Sequence, residues 1–282
     1  GGDGLALEAW CRVLPRTLGT LSQLYRTVDT KIFEGLAQDA VMSCTESLVA
    51  VAKAVEKARG KLDGALFLVM HLLKLREQIV PFDVDFSSNE IQLDFSNTRS
   101  SLTRMFHSGA ANSWSGALSS LAGAPPKVYR TQRNSKKELE RELKHACEAL
   151  ILLCAAQIAE PVAAWVRKAD AISGTGGGGA GKGLRENVFA TPDKVKDTCK
   201  ALRAAVEGFK SDTVPKMELY LANPQTRSVL LAPIRSAVLD TYSRFHAHVN
   251  SAFLPEEYVA MQMIPPEDLA ALLLLENTPP PP

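Results

Sequence analysis

Ser173 to Gly183, SGTGGGGAGKG, is the stretch of this 282-residue chain with the plainest chemical potential. Gly176 to Lys182 fits the glycine, four residues, glycine, lysine pattern of a phosphate-binding loop, whose amides cradle phosphates and whose lysine reaches the outer ones. The next residue is Gly183, where such a loop needs a Ser or Thr hydroxyl for magnesium. A helix expected to end near Ala171 precedes it instead of a buried strand, and no later hydrophobic strand ends in an aspartate. Four consecutive glycines are also the composition of a flexible linker, which is the reading adopted for this tract.

A second candidate lies at Asp83, Asp85, Ser87 and Asp94, which occupy positions one, three, five and twelve of an EF-hand-like loop. Position six is Ser88, where the sharp turn calls for glycine, and an aspartate at position twelve is too short for the usual bidentate grip. These acids are read as turn and cap residues of a solvated connection between helices. His246 and His248 stand two apart, so on a helix they point in nearly opposite directions and cannot hold one metal together. Cys11, Cys44, Cys147, Cys154 and Cys199 are scattered and odd in number, without the close pairs of a zinc site. They read as reduced thiols, most of them filling core. There is no HExxH, no GxSxG and no dinucleotide glycine fingerprint. The expectation is therefore no catalytic residue, no cofactor and no metal.

Composition narrows the remaining classes. Hydrophobic residues make up 46% of the chain, enough for a sizeable core, and 32 Lys and Arg balance 31 Asp and Glu. So even a balance argues against a surface built for a nucleic-acid backbone. Seven basic residues between Lys127 and Lys144 face three interleaved glutamates, a pattern read as a solvated face with an acidic partner or anionic head groups as the alternative. The chain opens on GGDGLALEAW without an initiator methionine, which reads as the cut end of a larger protein.

The elements that would position any site are all of helical period. Leu7, Trp10, Leu14, Leu18, Leu21 and Tyr25 predict a helix over 5–26, kinked or broken at Pro15. A second helix over 30–59 is expected to bury Ile32, Leu36, Ala40, Ser43 or Cys44, Leu48, Val51 and Val55, and to end on a left-handed Gly60. From Leu62 to Val80 apolar residues occupy nearly every face, the mark of a buried helix, and its charged end leaves it short of the roughly 20 residues a bilayer demands. Pro81 should stop it. A short helix over 96–107 and a Ser, Gly and Ala-rich loop over 108–126 follow. Ser135 and Glu138 form an expected capping box before a long helix whose stripe is Leu139, Leu143, Ala146, Leu150 and Leu153. Thr191, Pro192 and Asp193 open another, burying Val195, Cys199, Leu202, Val206 and Phe209 and ending or kinking at Pro215. Asn223 and Pro224 start the most regular one, with Leu230, Ile234, Val238, Tyr242, Phe245, Val249 and Phe253 inward and a bend at Pro233. After Pro255 a loop is expected, then a short apolar terminal helix. The domain expectation is a helical unit over 1–125, a second over 126–276 with a Gly-rich linker at 173–187, and a disordered tail at 277–282.

The string HLLKLREQIVPFDVDFSSNEIQLDFSNTRSSL resembles the C-terminal half of subunit three of the conserved oligomeric Golgi (COG) complex, a vesicle-tethering assembly. KIFEGLAQDAVMSC before it, and NSKKELERELKHACEALI, MELYLANPQTRSVLLAPIR and FLPEEYVAMQMIPPEDLAALLLL after it, match in order from about Lys31 to Leu275. The resemblance implies an all-α fold of stacked helical bundles forming an elongated rod. It also implies a non-catalytic subunit acting in intra-Golgi retrograde transport, peripheral on the cytosolic face of the Golgi membrane and present in cytosol. Implied partners are the other COG subunits, Golgi SNAREs, Rab GTPases and coiled-coil tethers, with no nucleic acid. From the residues alone, a generic helical adaptor and, more remotely, a nucleotide-binding enzyme using Gly176 to Lys182 stand as the alternatives.

Overall fold

A computed structural model describes residues 12–82, 135–173 and 182–274, and every regular element among them is helical. The helices are α1 (Val13–Leu24), α2 (Thr30–Arg59), α3 (Lys61–Ile79), α4 (Ser135–Ser173), α5 (Lys182–Arg185), α6 (Pro192–Gly208), α7 (Val214–Tyr220), α8 (Pro224–Ala252), α9 (Glu257–Met261) and α10 (Pro266–Leu272). They group into two compact units. The first holds α1 to α3, α4 as far as Leu150, and residues 219–222; the second holds the rest of α4, 182–218 and 223–274. The boundary expected near residue 125, the helix over 96–107 and the Asp83 to Asp94 loop lie outside the described residues, as does the tail from 275.

In the first unit α2 and α3 form a hairpin around Gly60, whose φ of 104° is open to glycine at little cost. Asp29 caps α2 by accepting from the Lys31 amide at 2.9 Å, and Lys57 and Arg59 suit its negative end. The hairpin is tight because Gly64 lets α3 come against α2: a Cβ there would stand 2.8 Å from Glu56 Cβ and 3.0 Å from the Ala52 carbonyl oxygen. Leu66, Phe67, Val69, Leu72 and Leu75 are buried as the all-round apolar pattern requires, whereas Val80 beyond the helix end is 72% exposed. Tyr25, Phe33 and Phe82 close one end with ring centroids 5.3 to 5.8 Å apart.

The described part of α1 begins at Val13, with Pro15 in its first turn, and the residues that would show a kink or break there lie outside the described ones. One expectation needs correction here. On α2 the buried apolar residues are Phe33, Ala37, Val41, Cys44, Leu48, Ala52 and Val55; Ile32 and Leu36 are 58% and 44% exposed. The stripe is rotated by one residue in its first half because Phe33 joins the aromatic cluster and carries Ala37 and Val41 inward with it.

Helix α4 runs for 39 residues straight through Pro161. By length and apolarity it is the described helix able to cross a membrane, but two-thirds of its apolar window is buried inside the fold, so its hydrophobicity serves the core. Ser135 does not act as the cap of a capping box. It is the first described residue of the helix, its buried Oγ has no hydrogen-bond partner among the described residues, and Glu138 pairs with Arg141. Leu139, Leu143, Ala146 and Leu150 are buried as expected and Leu153 is half-buried.

In the second unit α6 and α8 bury the stripes read from sequence in full: Val195, Cys199, Leu202, Val206 and Phe209 on one, Leu230, Ile234, Val238, Tyr242, Phe245, Val249 and Phe253 on the other. Asn223 caps α8 through the Gln225 amide at 2.9 Å. Helix α6 gives way at Phe209–Thr213 to a π turn, and Pro215 stands at the second position of α7, so the chain stays helical through Met217 and does not end before it as expected. Residues 257–261, expected as loop, form α9 instead: Glu257 accepts from the Leu254 amide at 2.9 Å and holds Arg185 at 2.6 Å, which fixes the turn. Within the expected linker 173–187, Leu184 is buried, so α5 is packed chain.

Candidate interaction surface

The residues singled out for chemistry are not brought together. Lys182 and Gly183 open α5, with Gly183 O accepting from Asn187 Nδ2, and the preceding glycines lie outside the described residues. Each of the two histidines on α8 has its own partner: His246 Nδ1 meets Asn250 at 3.2 Å, and His248 Nε2 meets Asp170 at 2.9 Å. Among the described residues no cluster of His, Cys, Asp and Glu is arranged to hold a metal. Cys44, Cys147, Cys154 and Cys199 are all buried. Burial pushes the thiols of Cys147 and Cys154 up to about 12 and that of Cys199 up to about 11, so they stay protonated and unreactive at neutral pH.

Polar groups inside the second unit are spent on holding helices. Asp170 on α4 accepts from Arg244 at 2.7 Å and pairs with His248 at 2.9 Å, two residues four apart on α8. Trp165, five residues before it, donates to Phe189 O at 3.2 Å and stands edge-on to Phe245 at 4.9 Å. This cluster clamps α4 to α8 and places no nucleophile beside the imidazole. The Tyr242 hydroxyl donates to Ile264 O and accepts from Ile264 N, which anchors the segment between α9 and α10. Burial raises that phenol well above its ordinary value. In the first unit Tyr220 donates to Asp63 at 3.1 Å, and burial together with that carboxylate pushes the phenol up to about 12.

What remains open is surface. A shallow groove of about 410 Å³ is lined by Arg203 of α6, Lys210 of the π turn, Ile264, and Asp268, Ala271 and Leu272 of α10. Ile264 is buried beneath it, Leu272 is half-buried, and Arg203 and Asp268 are exposed. Lys210 meets Glu207 at 3.9 Å. Helix α10 itself is packed: Leu269 and Leu273 are buried against α8, while Leu274 is 61% exposed. Exposed apolar residues also occur at Val188, Leu254 and Val259 near the Arg185 to Glu257 pair. Sequence reading located the leucines of α10 but missed the groove, because Arg203 and Lys210 look like ordinary solvated positions until the π turn and α10 are placed.

Such an arrangement, among the described residues, offers a surface that can bind. Residues 5–98 match the family model described as Conserved oligomeric Golgi complex subunit 3, C-terminal, and residues 142–275 match the COG3 C-terminal cap domain. Conserved oligomeric Golgi complex subunit 3 of Homo sapiens is 32% identical over 275 residues, covering 95% of this chain and 33% of that protein. The same subunit of Dictyostelium discoideum is 30% identical over 257 residues, 89% of this chain and 28% of that protein. In Saccharomyces cerevisiae it is 29% identical over 149 residues, 49% of this chain and 19% of that protein. The chain thus spans about a third of the length of the human and mouse relatives. No solved structure matches it. With both C-terminal models of one family matched in order, the chain belongs to the family of conserved oligomeric Golgi complex subunit 3, in its C-terminal region.

Proposed function

We propose that this chain is the C-terminal portion of a COG subunit and works in vesicle tethering at the Golgi through protein contacts, without catalysis. The observation that carries this is the run of similarity to subunit 3 of the human complex over 95% of the chain. The helical fold, the inert thiols and the dispersed histidines are what a scaffold needs and what an active site lacks. By the same reading its partners are the other COG subunits, with Golgi SNAREs, Rab GTPases and coiled-coil tethers as further contacts, and it sits peripherally on the cytosolic face of the Golgi membrane. The domain division belongs to the proposal too: a helical unit to about residue 125 and a second from 126, although the compact units found among the described residues assign 135–150 and 219–222 to the first.

The test is replacement. In cells lacking their own subunit 3, a chimaera carrying this chain in place of the matching C-terminal third should restore return of a tagged resident protein from later to earlier Golgi cisternae. A chimaera that is expressed and folded but restores no transport contradicts the reading.

A further inference from the structure

We propose that the groove between α6 and α10 is a docking site for a short acidic segment of a partner protein, one that inserts an apolar side chain between its carboxylates. Its floor and its rim ask for different chemistry. Ile264, Ala271 and Leu272 offer an apolar strip, and Leu272 stays half-buried, although its neighbours Leu269 and Leu273 are sealed. The rim carries Arg203 and Lys210, two turns apart, against the single acid Asp268. Arg203 makes no ion pair among the described residues, and the only ion pair of Lys210 among them is a long one to the exposed Glu207. Two under-used cations flanking an apolar strip complement a carboxylate, an apolar anchor and a second carboxylate in sequence.

The π turn is what makes the pair. Phe209 and Thr213 are buried at its ends, with Thr213 donating to Gln157 at 3.1 Å, so the turn is held in place and Lys210 is held at the groove. Single-turn π insertions of this kind recur where a helix must aim a side chain off its regular register. The floor is equally fixed, since Ile264 is bonded through both backbone groups to Tyr242. A preformed strip and preset cations spare the ordering cost that weakens binding by mobile surfaces.

This inference rests on the interaction reading above but not on which Golgi protein is met, so the two can fail separately. The experiment selects a phage-displayed library of random twelve-residue peptides on the purified chain, then measures an enriched peptide by fluorescence anisotropy against Arg203→Glu/Lys210→Glu, Leu272→Ala and Asp268→Asn variants. Enriched peptides should carry at least two acids beside an apolar residue. The charge-reversal pair should weaken binding tenfold or more, Leu272→Ala should weaken it severalfold, and Asp268→Asn should hold or tighten it, all with unchanged circular dichroism. No enrichment, enrichment of uncharged or basic peptides, or affinity indifferent to the charge reversal overturns the proposal. So does either rival occupant: capture of phosphatidylserine vesicles lost in the charge-reversal variant while no peptide binds, or self-association in sedimentation abolished by it.

Discussion

At the scale of single residues, this protein spends its reactive groups on structure. Tyr220 and Tyr242 are held neutral, the first by burial and by Asp63, the second by burial. A phenol whose folded value lies above its unfolded value of about 10 stabilises the fold fully below that pH and loses the contribution as pH climbs toward the folded value. Thermal stability should therefore be flat from pH 7 to 9 and fall between pH 10 and 12, and Tyr242→Phe should reduce the slope of that fall. An unchanged slope in the variant would mean the phenol ionises as easily folded as unfolded. The buried thiols give a second check: Cys147, Cys154 and Cys199 should resist a thiol reagent in the native chain at pH 7 and react promptly on unfolding. None of this was legible beforehand in detail. Scattered cysteines suggest core filling, but the partners of Tyr220 and Asp170 lie 157 and 74 to 78 residues away.

Elements were read more faithfully than faces. The bounds of α2 follow from Asp29 and Gly60, and the stripes of α6 and α8 from strict steps of three and four, because a cap or a period is a local property. Where the reading slipped, a tertiary contact decided: Phe33 rotated the stripe of α2, and the Arg185 and Glu257 pair made a helix of residues read as loop. Gly64 isolates such a contact. Helix propensity alone makes Gly64→Ala stabilising by about 1 kcal/mol, but a Cβ at 2.8 Å from Glu56 Cβ must drive α2 and α3 apart, and overpacking of that kind costs about 1 to 3 kcal/mol. Chemical denaturation should show a net loss; a gain would show that the hairpin relaxes freely. On α10, Leu269→Ala and Leu273→Ala should each cost about 2 to 5 kcal/mol as buried leucines. Leu272→Ala should cost clearly less, because Leu272 is only half-buried.

For the molecule as a whole, the family was legible in five strings kept in order, none of them chemical, and the matches to residues 5–98 and 142–275 carry the same order. The phosphate-loop pattern at Gly176 to Lys182 is weak as a signal in the sequence, which has the spacing without the hydroxyl, preceding strand pattern and later aspartate that give it meaning, and its glycines lie outside the described residues. If the glycine tract is the linker its composition suggests, removing residues 175–181 should leave the melting temperature nearly unchanged, since loop length alters closure entropy only slowly. The most direct measurement of the central claim is quantitative affinity capture of a tagged chain from a eukaryotic cell lysate, comparing its recovery of COG subunits with that of an unrelated helical protein. The account predicts COG subunits enriched together well above the control and indifferent to added ATP. Recovery at the control level by a folded chain, or capture that requires ATP and Lys182, would contradict it.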